Sequence, residues 1–259
     1  MEEFASNEVQ MIIKQFHKIA MKKWIKSVNK GLGSIGYTFE QELDKKADSL
    51  YFPDYYGTEI KCTGRYSRYP ITLFTSSFDG PTFPEINRLI EKWGYPDKEY
   101  RDRNVIFADI DCGNKTIIKS GAMFKLDVDY NEEKIYLCVF DDNGVLLERE
   151  SFVYFKTLYD HLYLKLNRLA LVYASKKIID DEMYFRYYRI GIYKIKNFET
   201  FLKLLYEGKI SVSLIARISK SGVDVGRYRN KNLVFKIKKN DINLLFDEIY
   251  NYNYDNCYF

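Results

Sequence analysis

Residues 52–63, FPDYYGTEIKCT, decide how this chain is read. Pro53 ends one short extended segment, 50–52, and presents an acid, Asp54, at its end. A tight turn through Tyr55, Tyr56 and Gly57 leads into 58–63, which reads as a buried strand carrying a second acid, Glu59, and a lysine, Lys61. Side chains two apart in a strand share a face, so Glu59 and Lys61 point one way and Thr58, Ile60 and Cys62 the other. Pairing of the two strands brings Asp54 beside Glu59. Adjacent carboxylates repel unless they share a cation, and Mg²⁺ accepts one or two carboxylates together with water and phosphate oxygens. Such an ion offsets phosphate charge, while Lys61 holds or deprotonates an attacking water. The bland alternative is a surface ion pair between Glu59 and Lys61 with Asp54 as an ordinary turn acid. Other acid pairs, at 109–111, 127–129 and 96–99, lack the ordered proline, acid, strand and E-x-K, and read as solvated turn and edge residues.

Upstream, Val9, Ile12, Ile13, Phe16, Ile19 and Trp24 repeat at helical spacing over 8–30, with a solvated ladder of lysines at every fourth position from Lys14 to Lys30. Gly31 and Gly33 are expected to end that helix, and Ser34 to cap a second one running through GYTFEQELDKKA. There Glu40 lies one turn beyond Gly36, on a face that the glycine leaves open. All five prolines fall between 53 and 96, so 64–104 is expected to be loop-rich with one short helix at 84–93. Strands are predicted at 104–109, 122–128 and 134–140, then a helix over 152–178. A strand, a helix capped by Asn197 and stopped by Gly208, two further strands and a closing helix from Asn240 follow. The pattern is a mixed α/β (α+β) chain, with neither regular βα alternation nor a Gly-rich phosphate loop.

Composition narrows the chemistry. With 46% apolar and 29% charged residues over 259 positions, the chain buries a full core. No apolar run reaches membrane-spanning length, and a soluble, cytoplasmic protein without a membrane partner is expected. Four scattered cysteines and two histidines, His17 and His161, leave little material for zinc, disulfides or histidine-based nucleophilic catalysis, and His161 reads as a packed or surface residue. Net charge is only +4, but nine basic residues against two acids lie between Glu207 and Lys239.

With Glu40 included, GSIGYTFEQELDKKADSLYFPDYYGTEIKCT (33–63) resembles the endonuclease family that joins the MvaI/BcnI restriction enzymes to the mismatch-repair nickase MutH. The likeness runs through Gly36, Phe39, Glu40, Pro53, Asp54, Gly57, Glu59, Lys61 and Thr63, over about an eighth of the chain. It implies a restriction-endonuclease-like core, a mixed central sheet flanked by helices, with two lobes around a DNA cleft. The catalytic lobe would span 1–150, closing helices returning to it, and the DNA-recognition lobe 151–259. Mg²⁺ would be held by Asp54, Glu59 and the Ile60 carbonyl, with Lys61 beside the attacking water and Glu40 orienting Lys61 or that water. A further lysine at the start of a following core strand would be Lys134, or else Lys125.

The same likeness implies a type II restriction endonuclease that hydrolyses double-stranded DNA to leave a 5′-phosphate. It would act as a monomer, with a cognate methyltransferase in the same system but not physically bound. Arg227, Arg229 and Lys231, in the basic block, and Arg65 and Arg68, just after the catalytic strand, are the candidate DNA contacts, whether to bases or to phosphates. The alternatives are a strand-nicking repair enzyme using the same site, and a non-catalytic DNA-binding protein on the same core.

Overall fold

In the computed structural model, which describes residues 6–31, 33–43 and 55–256, the apolar stripe near the N-terminus forms α1 (Asn7–Met21), with Val9, Ile12, Ile13, Phe16 and Ile19 all buried. Ser6 caps it by accepting a hydrogen bond from the Val9 N–H. The helix stops well before the glycines. Lys23 adopts φ +59°, and Ile25 and Lys26 leave the helix to form β1 (Ile25–Lys26) against Phe185 and Tyr184. Edge pairing with a neighbouring strand thus overrides helical periodicity from Met21 onward. In α2 (Ser34–Glu42) the N-cap is Gly33, and the Ser34 hydroxyl donates to the Met183 sulfur instead of capping.

The chain forms two units: Met1–Ile71 with Tyr163–Lys196 and Ile242–Phe259, and Thr72–Leu162 with Asn197–Asp241. The expected division at residue 150 is replaced by an interleaved one. The physical reason is the first sheet, which β2 (Glu59–Gly64) cannot complete with its own neighbours in sequence. Its strands run in the order β1, β11 (Glu182–Ile195), β10 (Arg168–Ile179), β2, with β14 (Phe246–Asn253) also on β11. β2 runs parallel to β10, and the other pairs are antiparallel. α1 and α2 cover one face, packing Phe16, Ile19 and Phe39 against Ile60, Val172 and Ile190.

Two sequence expectations fail on this sheet. The helix foreseen over 152–178 is β9 (Leu146–Tyr154), α4 (Phe155–Leu166) and β10. Phe155, Leu158, Leu162 and Leu166 keep helical spacing, but from Leu169 to Ala174 every residue is buried, the pattern of a strand covered on both faces. The foreseen closing helix shrinks to a 3₁₀ turn and α6 (Ile242–Leu245), because the Phe- and Tyr-rich segment behind it joins β11 as β14.

The second unit holds two sheets. One orders β3 (Ile71–Ser76), β13 (Tyr228–Ile237), β12 (Ile210–Ile218), β5 (Asn104–Ile110) and β4 (Tyr95–Pro96). The other orders β6 (Thr116–Ile117), β7 (Met123–Asp129), β8 (Lys134–Phe140) and β9. The helix foreseen among the prolines is α3 (Glu85–Trp93), although β3 makes the surrounding stretch more regular than expected. α3 is bound to β9 by a buried charge network in which Arg88 bridges Glu85 and Glu148. α5 (Phe198–Tyr206) starts at Asn197, whose side chain accepts from the Thr200 N–H, and is followed by Gly208 at φ +70°. His161 stacks on Phe74 at 5.3 Å, a packing position. Among the described residues no helix is long and apolar enough to cross a membrane.

Candidate active site

The entry to β2 is a two-residue hairpin turn. Tyr55 and Thr58 exchange both backbone hydrogen bonds, at 3.0 Å each, around Tyr56 at φ 47° and Gly57 at φ 67°. Left-handed conformations at both central positions match the right-handed twist of the strands, and glycine bears its share without steric cost. The turn fixes the phase of β2. Ile60 points into the core at 4% exposure, and Glu59 and Lys61 share the opposite face.

Glu59 is 1% exposed, an unusual place for a carboxylate unless cations reach it. Lys61 Nζ donates to Glu59 Oε1. A second ammonium, Lys165 Nζ, stands 3.7 Å from the same oxygen. Lys165 comes from the last turn of α4, immediately before β10 carries the chain along β2 in parallel. The arrangement is a buried carboxylate between two partly exposed lysines, at 26% and 27% side-chain exposure. Asp54 lies outside the described residues.

On α2, Glu40 does occupy the side that Gly36 leaves open: its Oε1 lies 3.9 Å from where a Cβ on Gly36 would stand. Burial, then the charges of Cys62 and Glu42, and finally Glu40, push the nearby Tyr187 phenol up. Tyr187 stays protonated and donates to the Ile35 carbonyl at 2.7 Å.

The assignment of a second lysine to Lys134 needs correction. β8 pairs with β7 and β9 in the second unit, a sheet that does not contain β2. There the Lys134 ammonium donates to Glu132 at 2.9 Å and to the Tyr136 hydroxyl at 3.2 Å. Lys125, on β7, is in the same sheet. The next strand of β2's own sheet is β10, and the lysine its approach delivers to Glu59 is Lys165.

Of the arginines after β2, Arg65 is exposed but already engaged within the protein. It pairs with Asp255 at 2.6 Å, lies over the Tyr188 ring at 4.7 Å and shares Asp255 with Arg186. Arg68 is exposed. In the second unit, Arg227 precedes β13 and pairs with Asp224 at 3.4 Å, while Arg229 and Lys231 are exposed on β13 itself.

A family model described as the MvaI/BcnI restriction endonuclease family matches residues 13–246. The chain belongs to the MvaI/BcnI restriction endonuclease family. As a member of the MvaI/BcnI family it is a site-specific DNA endonuclease. The solved structures similar to it include two of restriction endonuclease MvaI. The restriction endonuclease MvaI–cognate DNA substrate complex matches with 24% identity and a TM-score of 0.88, over 94% of this chain and 98% of that one. Restriction endonuclease MvaI in the absence of DNA matches with 19% identity and a TM-score of 0.60, over 94% and 97%. At these identities the likeness establishes the fold. No curated protein matches the sequence.

Proposed function

We propose that the chain is a Mg²⁺-dependent type II restriction endonuclease that hydrolyses double-stranded DNA and leaves 5′-phosphate ends. The observation that carries this reading is Glu59, buried on β2 beside the turn, with Lys61 against it on the same face. Asp54, the second carboxylate that the sequence pattern expects beside Glu59, comes just before the turn that Tyr55 and Thr58 close. The donor set then consists of hard oxygens: two carboxylates and the Ile60 carbonyl. The alternate residue Cys62 packs toward the core, away from this donor set. Such a set suits Mg²⁺ better than zinc.

Asp54, Glu59 and the Ile60 carbonyl would hold the ion. Bound there, it would offset phosphate charge and polarise the scissile phosphorus. Lys61, which reaches solvent while touching Glu59, positions the attacking water by donating a hydrogen bond and balances charge as the phosphorane-like transition state forms. Glu40, across from Gly36, orients that water or the Lys61 ammonium. Lys165, 3.7 Å from Glu59 Oε1, balances its charge and competes with the metal for it. Lys165→Met is therefore expected to lower the Mg²⁺ concentration giving half-maximal cleavage, checked by a Mg²⁺ titration of the cleavage rate.

The test of the proposal is digestion of a long DNA by the purified protein with Mg²⁺, with Ca²⁺ and with a chelator, followed by sequencing of the ends. Expected are discrete fragments, made only with Mg²⁺, that share one terminal motif and rejoin with DNA ligase without prior phosphorylation. Absence of Mg²⁺-dependent cutting, or cutting that requires an added mismatch-repair factor, would overturn it.

A further inference from the structure

β12 and β13 pair in a register that sets Arg217 directly opposite Arg229. Like charges facing each other across an antiparallel pair weaken it, so the two guanidinium groups are at odds until an anion or an acceptor-rich surface arrives. The register then slips between Ile215 and Ala216, whose partners are Asn232 and Asn230, leaving Lys231 as the extra residue of a bulge. A bulge re-aims its side chain. Partial desolvation of the ammonium of this surface residue, with the positive charges of Arg229, Arg217 and Lys236 behind it, pushes Lys231 below its ordinary value. Lys231 therefore senses three other cations from the two strands. Among the described residues no carboxylate pairs with Arg217, Arg229 or Lys231, whereas Arg88, Arg149 and Arg186 each hold one.

The surface is also held in place before any partner binds. Asn232 donates to the Ser77 hydroxyl at 3.1 Å, tying the ribbon to the segment that follows β3. Arg217 and Arg229 rise from paired strands, unlike Arg227, which is 79% exposed in the preceding loop and paired with Asp224. The two-residue spacing of Arg227 and Arg229 in the sequence is thus replaced by a cross-strand pair that includes an arginine 12 positions upstream of Arg229. Arg217 lies one residue past Ala216, the last partner of β5, so at this end of the five-stranded sheet β12 pairs with β13 alone. A two-stranded end of that kind fits the major groove, and the planar fork of arginine matches the N7 and O6 acceptors of guanine.

We infer that Arg217 is a specificity-determining residue, which with Arg229 reads guanine edges from the β12–β13 ribbon while Lys231 holds a phosphate. This rests on the endonuclease acting on duplex DNA, and it assigns to Arg217 a part in choosing the site rather than in hydrolysis. Removal of Arg217 also relieves the repulsion with Arg229, so the free protein becomes slightly more stable, a change that a merely structural arginine would not produce.

The experiment presents a randomised duplex library to the wild type, Arg217→Ala and Arg217→Lys. Sites are recovered both by cleavage with Mg²⁺ and by binding with Ca²⁺. Expected is a wild-type motif in which both variants lose preference for one G·C position, by roughly 5- to 150-fold, while the other positions persist. Arg217→Lys fails like Arg217→Ala, because an ammonium keeps the charge but not the fork. The melting temperature of free Arg217→Ala is expected to rise. An unchanged motif with affinity lowered uniformly, and a salt slope reduced by about 1, makes Arg217 a phosphate contact and overturns the inference. An unchanged motif with unchanged affinity overturns it equally. Wild-type protein that selects a motif by binding but does not cut refutes the Mg²⁺ nuclease reading alone, and the binding arm still decides the role of Arg217.

Discussion

Glu59→Gln is expected to abolish Mg²⁺-dependent cleavage, by on the order of 10²–10⁴-fold, while DNA binding in Ca²⁺ survives. Glutamine keeps the shape and one acceptor oxygen for Lys61, so the substitution removes charge and little else. In the wild type that charge sits at 1% exposure with Lys61 donating to it and Lys165 3.7 Å away. A neutral amide in its place has far less hold on a divalent cation. It also leaves two ammonium groups converging on an uncharged group. Both lysines keep about a quarter of their side-chain surface in water, which screens the repulsion, so the expected loss of stability is modest, about 1–3 kcal/mol. Asp54→Ala is expected to give the same loss of cleavage. Single-turnover cleavage, anisotropy with labelled DNA and thermal unfolding on each variant separate these effects. Cleavage by Glu59→Gln within tenfold of the wild type would remove Glu59 from the proposed chemistry.

Much of this site was legible because it is local. A Tyr-Gly turn, alternation along one strand and a glycine one helical turn before Glu40 depend on neighbours in the chain, and all are borne out over the described residues. What escaped depends on distant partners. α1 ends at Met21 because β11 offers an edge to Ile25 and Lys26. Lys165 was hidden inside a helix expected to run on to residue 178. Recognising 169–174 as a strand buried on both faces, and hence a neighbour of β2, would have brought its preceding lysine to Glu59. Arg217 was hidden likewise: spacing along one strand gives faces but not register, and the bulge at Lys231 decides which arginine faces Arg229. The basic block was visible as composition, but its pairing was not.

Arg88→Met is expected to destabilise the second unit by about 3–5 kcal/mol, with the deficit largest at neutral pH. The Arg88 guanidinium donates to Glu85 at 2.5 and 2.8 Å, to Ser151 at 3.0 Å and also to Glu148. Glu85 and Glu148 have side-chain exposures of 0% and 2%. Burial by itself would push both carboxyls up. Hydrogen bonds from Arg88 to both, with Ser151 and Thr82 on Glu85 and Lys92 and Trp93 on Glu148, outweigh it and hold both below the usual carboxylate range. Groups lowered on folding stabilise the fold above their unfolded value, about 4.3, and that contribution is lost as pH falls through their folded values. Without Arg88, Glu85 keeps the Ser151 and Thr82 hydrogen bonds but loses the guanidinium, so burial opposes its charge more strongly than in the wild type. Glu148 retains Lys92 at 2.6 Å and is relieved only in part. The gap between wild type and Arg88→Met therefore narrows as pH falls from 7 to 4, because acid removes the benefit from the wild type and the burden from the variant. Urea unfolding followed at both pH values measures it. A combined Arg88→Met, Glu85→Gln and Glu148→Gln variant is expected to recover part of the lost stability at pH 7, since no uncompensated buried charge remains. A deficit equal at pH 7 and pH 4 would mean that Arg88 contributes packing alone, and that the α3–β9 junction is not held by charge.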